Sequence, residues 1–314
     1  MPAKKSTAIK YTPRAPKAGD TLVNLPLYMA ACTDHTGGTG RYSVALANLS
    51  IGTRTVKDKD GAQTEHIYIV GCDGQRAVRL TSLVSGDGDS IAEKLSRASD
   101  SIAEKLSRAV PGTIVPKESV ALAIKASPDG PLDEMLSRAV PSGPDIQYPN
   151  ISAAIPGECP CFTAGKETLR HLCEQAYRIA NATEVPDIFG DETPDSGSMY
   201  AVLELGDLAS GKIHLSARLP GLRTGDSEPD TGEGGMKIDC EPVEIIPETD
   251  APKATRIGFN PRFLGDTLSA ALDLTCNGGT ATVSVISEVG ALVIRGTVDD
   301  LAAELLLMPM RISG

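Results

Sequence analysis

The 314-residue sequence contains no tryptophan, and aromatic residues make up only 4% of it. A core built from this composition has to rest on Leu, Ile, Val and Ala, which suits sheets and short helices with aliphatic packing. Positive charge is also scarce: 30 Lys and Arg stand against 41 Asp and Glu, a formal net charge of −11. That balance argues against a protein that coats nucleic acid by charge alone, although one basic surface on an acidic chain remains compatible with it. No run of about 18 apolar residues occurs, so no membrane-spanning helix is expected. The basic start is not followed by an apolar stretch, so it does not read as a secretory signal, and a cytoplasmic location is expected. The seven cysteines, Cys32, Cys72, Cys159, Cys161, Cys173, Cys240 and Cys276, are odd in number and scattered, as expected of reduced thiols.

Catalytic patterns are missing too. Cys159-Pro160-Cys161 is too tight for the usual zinc pair, and no second pair accompanies it. His171 and Cys173 are two apart and fall on different faces of a helix. His35, His66, His171 and His214 form no metal or triad spacing. Gly37-Gly38-Thr39-Gly40 lacks the Lys-Ser/Thr and the helix that a phosphate loop needs. The chain is therefore expected to carry no catalytic residue, no metal and no cofactor, and to act by binding.

Four regions differ in texture. Residues 1–18 hold Lys4, Lys5, Lys10, Arg14 and Lys17 and read as a disordered tail. Residues 22–32 form an apolar helical stretch, followed by strands marked by Tyr42, Val44, Leu46 and Leu49, then by residues 66–70 and 78–80. The cluster at 58–61, DKDG, signals a hairpin turn. Next comes a repeat: DSIAEKLSRA at 89–98 returns at 100–109, an offset of 11 residues, and LDEMLSRAVP at 132–141 is a weaker third copy. Asp89 and Asp100 are expected to cap short helices in what reads as a duplicated surface insertion. Residues 112–126 suggest a strand and a helix, and residues 127–145 a linker rich in Pro, Gly and Asp. The remainder reads as a second folded unit, with an amphipathic helix at 165–180 and another at 261–272. Its strands are expected at 200–205, 212–217, 280–286, 292–295 and 304–308, with a loop rich in Gly, Asp and Glu at 221–235.

Residues 257–272, IGFNPRFLGDTLSAAL, and 305–312, LLLMPMRI, resemble the third domain of the bacterial sliding clamp, the beta subunit of DNA polymerase III. YPNISAAIP at 148–156 resembles that family's joint between its second and third domains, and GCDGQRAVRL at 71–80 is similar to its TDGHRLA turn. Cys72, Gln75 and Ala77 stand where the family has Thr, His and Leu. TIVPKESVALAIKA at 113–126 resembles the opening of the second half of the middle domain, which then looks truncated. Nothing resembles the first of the family's three domains.

The resemblance implies an α+β DNA clamp fold: β-α-β repeats with antiparallel sheets outside and helices on one face. It divides the chain into a tail at 1–18, a middle-domain-like unit at 19–145 with the repeats inserted, and a C-terminal clamp domain at 146–314. It implies a homo-oligomeric processivity factor around duplex DNA, and a pocket for short apolar motifs of polymerase, clamp loader and repair proteins. That pocket falls at Arg76, Ala77, Pro149, Ala154, Leu306, Met308, Pro309, Met310 and Arg311, and the DNA-facing cations at Lys166, Arg170, Arg178 and Arg262. The alternative is a ringless relative that keeps the peptide pocket and acts as an adaptor or competitor.

Overall fold

A computed structural model describes residues 9–14, 22–33, 43–57, 63–83, 101–128, 130–143, 148–149, 151–153, 161–183, 201–204, 210–218, 237–248, 256–285 and 290–310. The first repeat copy, the turn at 58–61, the glycine-rich segment at 37–40, the loop at 221–235, Cys159, Ala154 and Arg311 lie outside these residues.

Strands β1 (Asn48–Lys57), β2 (Gln63–Cys72) and β3 (Arg76–Ser82) form an antiparallel meander. Strand alternation sends Leu49, Ile51, Ile69, Val78 and Leu80 to one face, where all are buried in the main core. β3 then pairs with β15 (Leu301–Leu307), the last strand of the chain, from Arg76↔Leu307 to Ser82↔Leu301. This seam joins the N-terminal strands to β14 (Leu292–Val298), β13 (Ala281–Val285), β6 (Phe162–Ala164) and β11 (Ile246–Pro247). On the other side β1 continues to β4 (Thr113–Pro116) and β5 (Val140–Pro141), giving ten strands in one sheet among the described residues. A second sheet is built from β7 (Ala201–Glu204), β8 (Lys212–Arg218), β9 (Lys237–Asp239), β10 (Val243–Glu244) and β12 (Arg256–Phe259).

Helices cover the core face: α1 (Asn24–Ala31), α4 (Lys117–Ala126), α6 (Lys166–Thr183) and α7 (Pro261–Ala271). α7 starts where Asn260 accepts the N–H groups of Arg262 and Phe263, with Pro261 at the first position. Two glycines permit close approach. A Cβ on Gly265 would lie 2.9 Å from the Tyr177 ring of α6, and one on Gly71 would lie 2.8 Å from the Met29 carbonyl of α1. α1 is tied to α7 through Tyr28, whose hydroxyl lies 2.7 Å from that of Thr267. Asp273, in the 3-10 turn Leu272–Gly278 after α7, caps α1: it accepts from the N–H groups of Val23, Asn24 and Leu25 at 2.9, 2.6 and 2.8 Å.

Several sequence expectations give way. The stretch around Val44 and Leu46 is a short helix, α2 (Ser43–Leu46), and the strand begins only at Asn48. The second repeat copy forms α3 (Ile102–Ser107), capped by Ser101 and not by Asp100: Ser101 and Glu104 make a reciprocal capping box. The third copy forms α5 (Pro131–Ser137) inside the segment expected to be a linker. Neither is a surface ornament, since Ala103, Leu106, Leu132 and Met135 are fully buried in the main core. The tail reading fails at residues 9–14, where Tyr11 is buried and packs edge-on against Tyr28, ring centroids 5.6 Å apart.

Candidate peptide-binding seam and helical face

The face of the large sheet turned away from the helices carries a second, smaller apolar cluster. Ala77 and Leu306 are direct partners across the β3–β15 seam, and Val293 and Ala291 adjoin them. All four are buried, with Cys72 of β2 and Ile151 of the 3-10 turn Ile151–Ala153 packed against them. Strand alternation makes this cluster: it is the odd-numbered side of β3 and β14 and the even-numbered side of β15, opposite Val78 and Leu305. Just beyond β15, Met308 is 41% exposed, a large apolar side chain left at the margin of a buried cluster. Its N–H donates to the Gln75 carbonyl at 2.8 Å, and the Met310 N–H donates to the Gly258 carbonyl at 2.8 Å, so the Met308-Pro309-Met310 segment is held at both ends. Pro149 is half-buried beside Tyr148, whose hydroxyl donates to the Val70 carbonyl at 3.4 Å.

Of the residues expected around a peptide pocket, the structure brings Ala77 and Leu306 together and leaves Met308 exposed next to them. Ile151, two residues beyond Pro149, makes the contact from the joint. Ala291, Val293, Ile151 and Cys72 were not expected there. Ala291 and Val293 would have followed from the alternation of β14, had its pairing to β15 been known.

Arg76 goes elsewhere. It is the neighbour of Ala77 in an extended strand, so it points to the opposite face, toward the helices. There its guanidinium stacks on the Phe263 ring at 4.1 Å and lies 5.6 Å from the Tyr28 ring centre. Its Nε donates to Asp73 at 2.8 Å and it meets Asp266 of α7 at 3.4 Å. Asp73 shapes the turn before β3 by accepting the N–H groups of Gln75 and Arg76, with Gly74 at φ 90°. Burial pushes the Asp266 carboxyl up, against the hydroxyl of Tyr177, donated at 2.8 Å, and the cations Arg76 and Arg262. Arg76 is 8% exposed and serves the joint between the N-terminal strands and α7.

The expected DNA-facing cations are distributed along two helices. Lys166, Arg170 and Arg178 fall on one stripe of α6 at four-residue steps, with Glu174 completing it. Arg170 pairs with Glu167 and lies 3.9 Å from Glu174. Arg262 of α7 lies over the Tyr177 ring at 5.3 Å and 3.7 Å from Asp266. The stripe is therefore a mixed-charge surface.

A four-residue ionic cluster lies one step along the strands from the apolar cluster. Glu304 of β15 accepts from Arg79 of β3 and Arg54 of β1, and Arg295 of β14 lies 3.5 Å away. Burial would raise the Glu304 carboxyl, but the guanidiniums of Arg79 and Arg54 outweigh it and hold the group below its usual range. These residues are 250, 225 and nine positions from Glu304, and no local motif announces them. No cluster of three or more potential metal ligands occurs among the described residues.

No family model and no curated protein matches the sequence. Among solved structures, the chain is similar to the Caulobacter crescentus pol III beta subunit at 17% identity and a TM-score of 0.53, over 92% of this chain and 63% of that one. A second structure of the DNA polymerase sliding clamp from Caulobacter crescentus gives 17% identity and a TM-score of 0.53, over 96% of this chain and 68% of that one. The chain thus spans less than two thirds of the length of the first of these clamps. With its antiparallel sheets on one side and its paired helices on the other, the chain has the fold of the bacterial DNA polymerase III beta sliding clamps.

Proposed function

We propose that this protein is a non-catalytic, clamp-like scaffold that presents its helical layer to duplex DNA and takes short apolar peptide motifs of replication proteins at the outer face of the β3–β15 seam. The observation that carries the reading is the convergence of three distant segments on one apolar cluster. Ala77 comes from the Asp73-Gly74 turn strand, Ile151 from the joint, and Leu306 from the strand ending in Met308-Pro309-Met310. Exposed Met308 beside them is a flexible side chain suited to varied apolar ligands. The assay is fluorescence anisotropy with a labelled peptide carrying an apolar clamp-binding motif. Met308→Asp, at an exposed position, is expected to weaken binding by about tenfold or more. Unaltered affinity in that variant and in Met310→Ala would remove the seam from the proposal.

A second reading, a ringless adaptor, is favoured by the sheet edges. β5, β10 and β11 offer two residues each, and β12 has Gly258 already engaged by Met310. Short or covered edges pair poorly with another copy. Native mass by light scattering separates the two: a stable oligomer supports DNA encirclement, and a monomer at every concentration supports the adaptor.

A further inference from the structure

The side of the large sheet away from the helices is ordered in rows across the strands. The apolar row is Ala77, Leu306 and Val293. The next row on the same side is ionic and follows the register: Arg79 of β3 stands opposite Glu304 of β15, and Glu304 stands opposite Arg295 of β14. The two rows are about 7 Å apart along each strand, the length of two extended residues. Arg54 of β1 reaches the same carboxylate. Glu304 Oε2 accepts from Arg79 Nε at 2.7 Å and from Arg54 Nη1, while Oε1 faces Arg295 Nε at 3.5 Å. Arg295 also donates to the Ser284 hydroxyl at 3.2 Å. These four side chains set three positive charges against one negative.

The inner members of the cluster are buried, and the outer two open to solvent. Glu304 and Arg79 are buried, whereas the Arg54 and Arg295 side chains are partly exposed. Burial, the largest influence, holds the Arg79 guanidinium below its usual range in spite of Glu304, and Arg54 pushes the same way, so the cations crowd one another. Beside the row, two buried polar atoms have no hydrogen-bond partner among the described residues. One is Oγ1 of Thr81, the next residue of β3 on this side, and the other is Nδ1 of His66, the register partner of Arg54. Buried polar atoms are nearly always bonded, and one left over marks a place for an ion or a water.

We infer that the partly exposed guanidiniums of Arg54 and Arg295 form a binding site for an oxyanion, a phosphate or carboxylate group, on the outer side of the sheet. The buried Glu304 is its base. It draws the two flanking guanidiniums to the two oxygens of one carboxylate, which leaves them near enough to share a second anion at the solvent side. Arg54 meets Glu304 through Nη1, and the five N–H groups of a guanidinium fork can hold two anions at once. The planar fork fits carboxylate and phosphate alike. Such a group can come free in solution or on the acidic side chain of a peptide lying one row away in the seam. The site stands whether or not the seam takes a peptide.

The test is thermal unfolding of the full chain in sodium phosphate and in sodium chloride of equal ionic strength, for the wild type and for Arg54→Gln/Arg295→Gln, with Arg54→Gln alone as the milder change. Inorganic phosphate at about ten times the midpoint of its titration is expected to raise the wild-type melting temperature by about 2 °C over chloride. The double variant is expected to lose that rise, and the single variant most of it. Equal melting in the two salts, or a rise that persists in the double variant, would overturn the site. Peptides then separate the two sources. A labelled peptide with Asp two positions from an apolar anchor is compared by fluorescence anisotropy with the same peptide carrying Asn. If the wild type binds the Asn peptide about tenfold more weakly and the double variant shows a ratio near one, the site is supported with a peptide carboxylate as its ligand. If the two peptides bind equally and the phosphate rise is lost in the double variant, the site is supported with a free anion as its ligand. Binding of neither peptide would remove the seam reading and leave the phosphate result to decide the site.

Discussion

Replacing Glu304 by Gln keeps the shape of the side chain and removes its charge from between three guanidiniums. Glu304 is 8% exposed and Arg79 is 5% exposed, so this part of the cluster is sheltered from solvent screening, while the Arg54 and Arg295 side chains are 29% and 21% exposed. Breaking a buried pair from one side costs about 3–5 kcal/mol, because it leaves the other charge buried and unmatched. Partial exposure of two of the three arginines places the expected loss near the low end, about 3 kcal/mol. For a chain of this size that corresponds to a melting temperature lower by about 4–6 °C. Thermal unfolding at neutral pH is the assay, with Arg79→Leu/Glu304→Leu as the companion variant, expected to recover much of the loss by removing both charges. The sign with pH also follows. The Glu304 carboxyl is held below its usual range, so its contribution is present above the unfolded-state value and is lost as pH falls through the folded-state value. Glu304→Gln lacks that acid step. A melting temperature within about 2 °C of wild type, together with an unchanged acid limb, would refute the view that this cluster fastens the seam.

Asp273 behaves in the opposite sense: burial, the largest influence, pushes its carboxyl up to about 6 in spite of the N–H groups of Leu25, Asn24 and Val23 that it accepts. The folded protein therefore gains stability from this group as pH falls from about 7 toward 4, by roughly 2–3 kcal/mol, and Asp273→Asn is expected to abolish that gain in melting curves taken across the range. Leu106→Ala, in the helix of the second repeat copy, is expected to cost about 2–4 kcal/mol in equilibrium unfolding, since Leu106 is fully buried; a surface insertion would lose almost nothing. Gly265→Ala puts a Cβ 2.9 Å from the Tyr177 ring and is expected to destabilise by about 1–3 kcal/mol, read as a lower denaturation midpoint.

The elements that could be read from the sequence are those with long, regular patterns. The helix at Lys166–Thr183 follows from apolar residues at Leu169, Leu172, Cys173, Ala176, Ile179 and Ala180, and the helix at Pro261–Ala271 from its Asn-Pro start. β2, β3, β14 and β15 follow from apolar runs rich in Val, Ile and Leu. The order of those strands does not. The seam pairs residue 76 with 307, and no periodicity carries information across that separation. Two features that depend on the seam were therefore hidden: the Glu304 cluster and the cluster partners Ala291 and Val293. The docked segment at residues 9–14 was hidden for another reason. Its apolar anchors, Tyr11 and the partly buried Ile9, stand among Lys, Thr, Pro and Arg, a composition that on its own favours a solvated chain.

The repeat helices close the core beside the N-terminal strands. After β4 and α4 the described residues contain only α5 and the two-residue β5 before Tyr148, and the second sheet is built from strands between residues 201 and 259. α3 packs on the core face of β2 and β3, and α5 packs on α3, α4 and α1: Ala103 and Leu106 from one and Leu132 and Met135 from the other are fully buried, and the Ala103 carbonyl accepts from the Ser82 hydroxyl at 2.8 Å. Lys105 and Asp133 join the two helices at 2.6 Å, but both are exposed, so the pair guides the packing more than it strengthens it. Two apolar residues on a one-and-a-half-turn helix cannot hold that helix alone; four residues from two helices packed against each other bury a continuous surface. Two short helices thus close this part of the core by apolar burial. Among the described residues the large sheet ends on this side at β5, with Val140 exposed and only two residues paired.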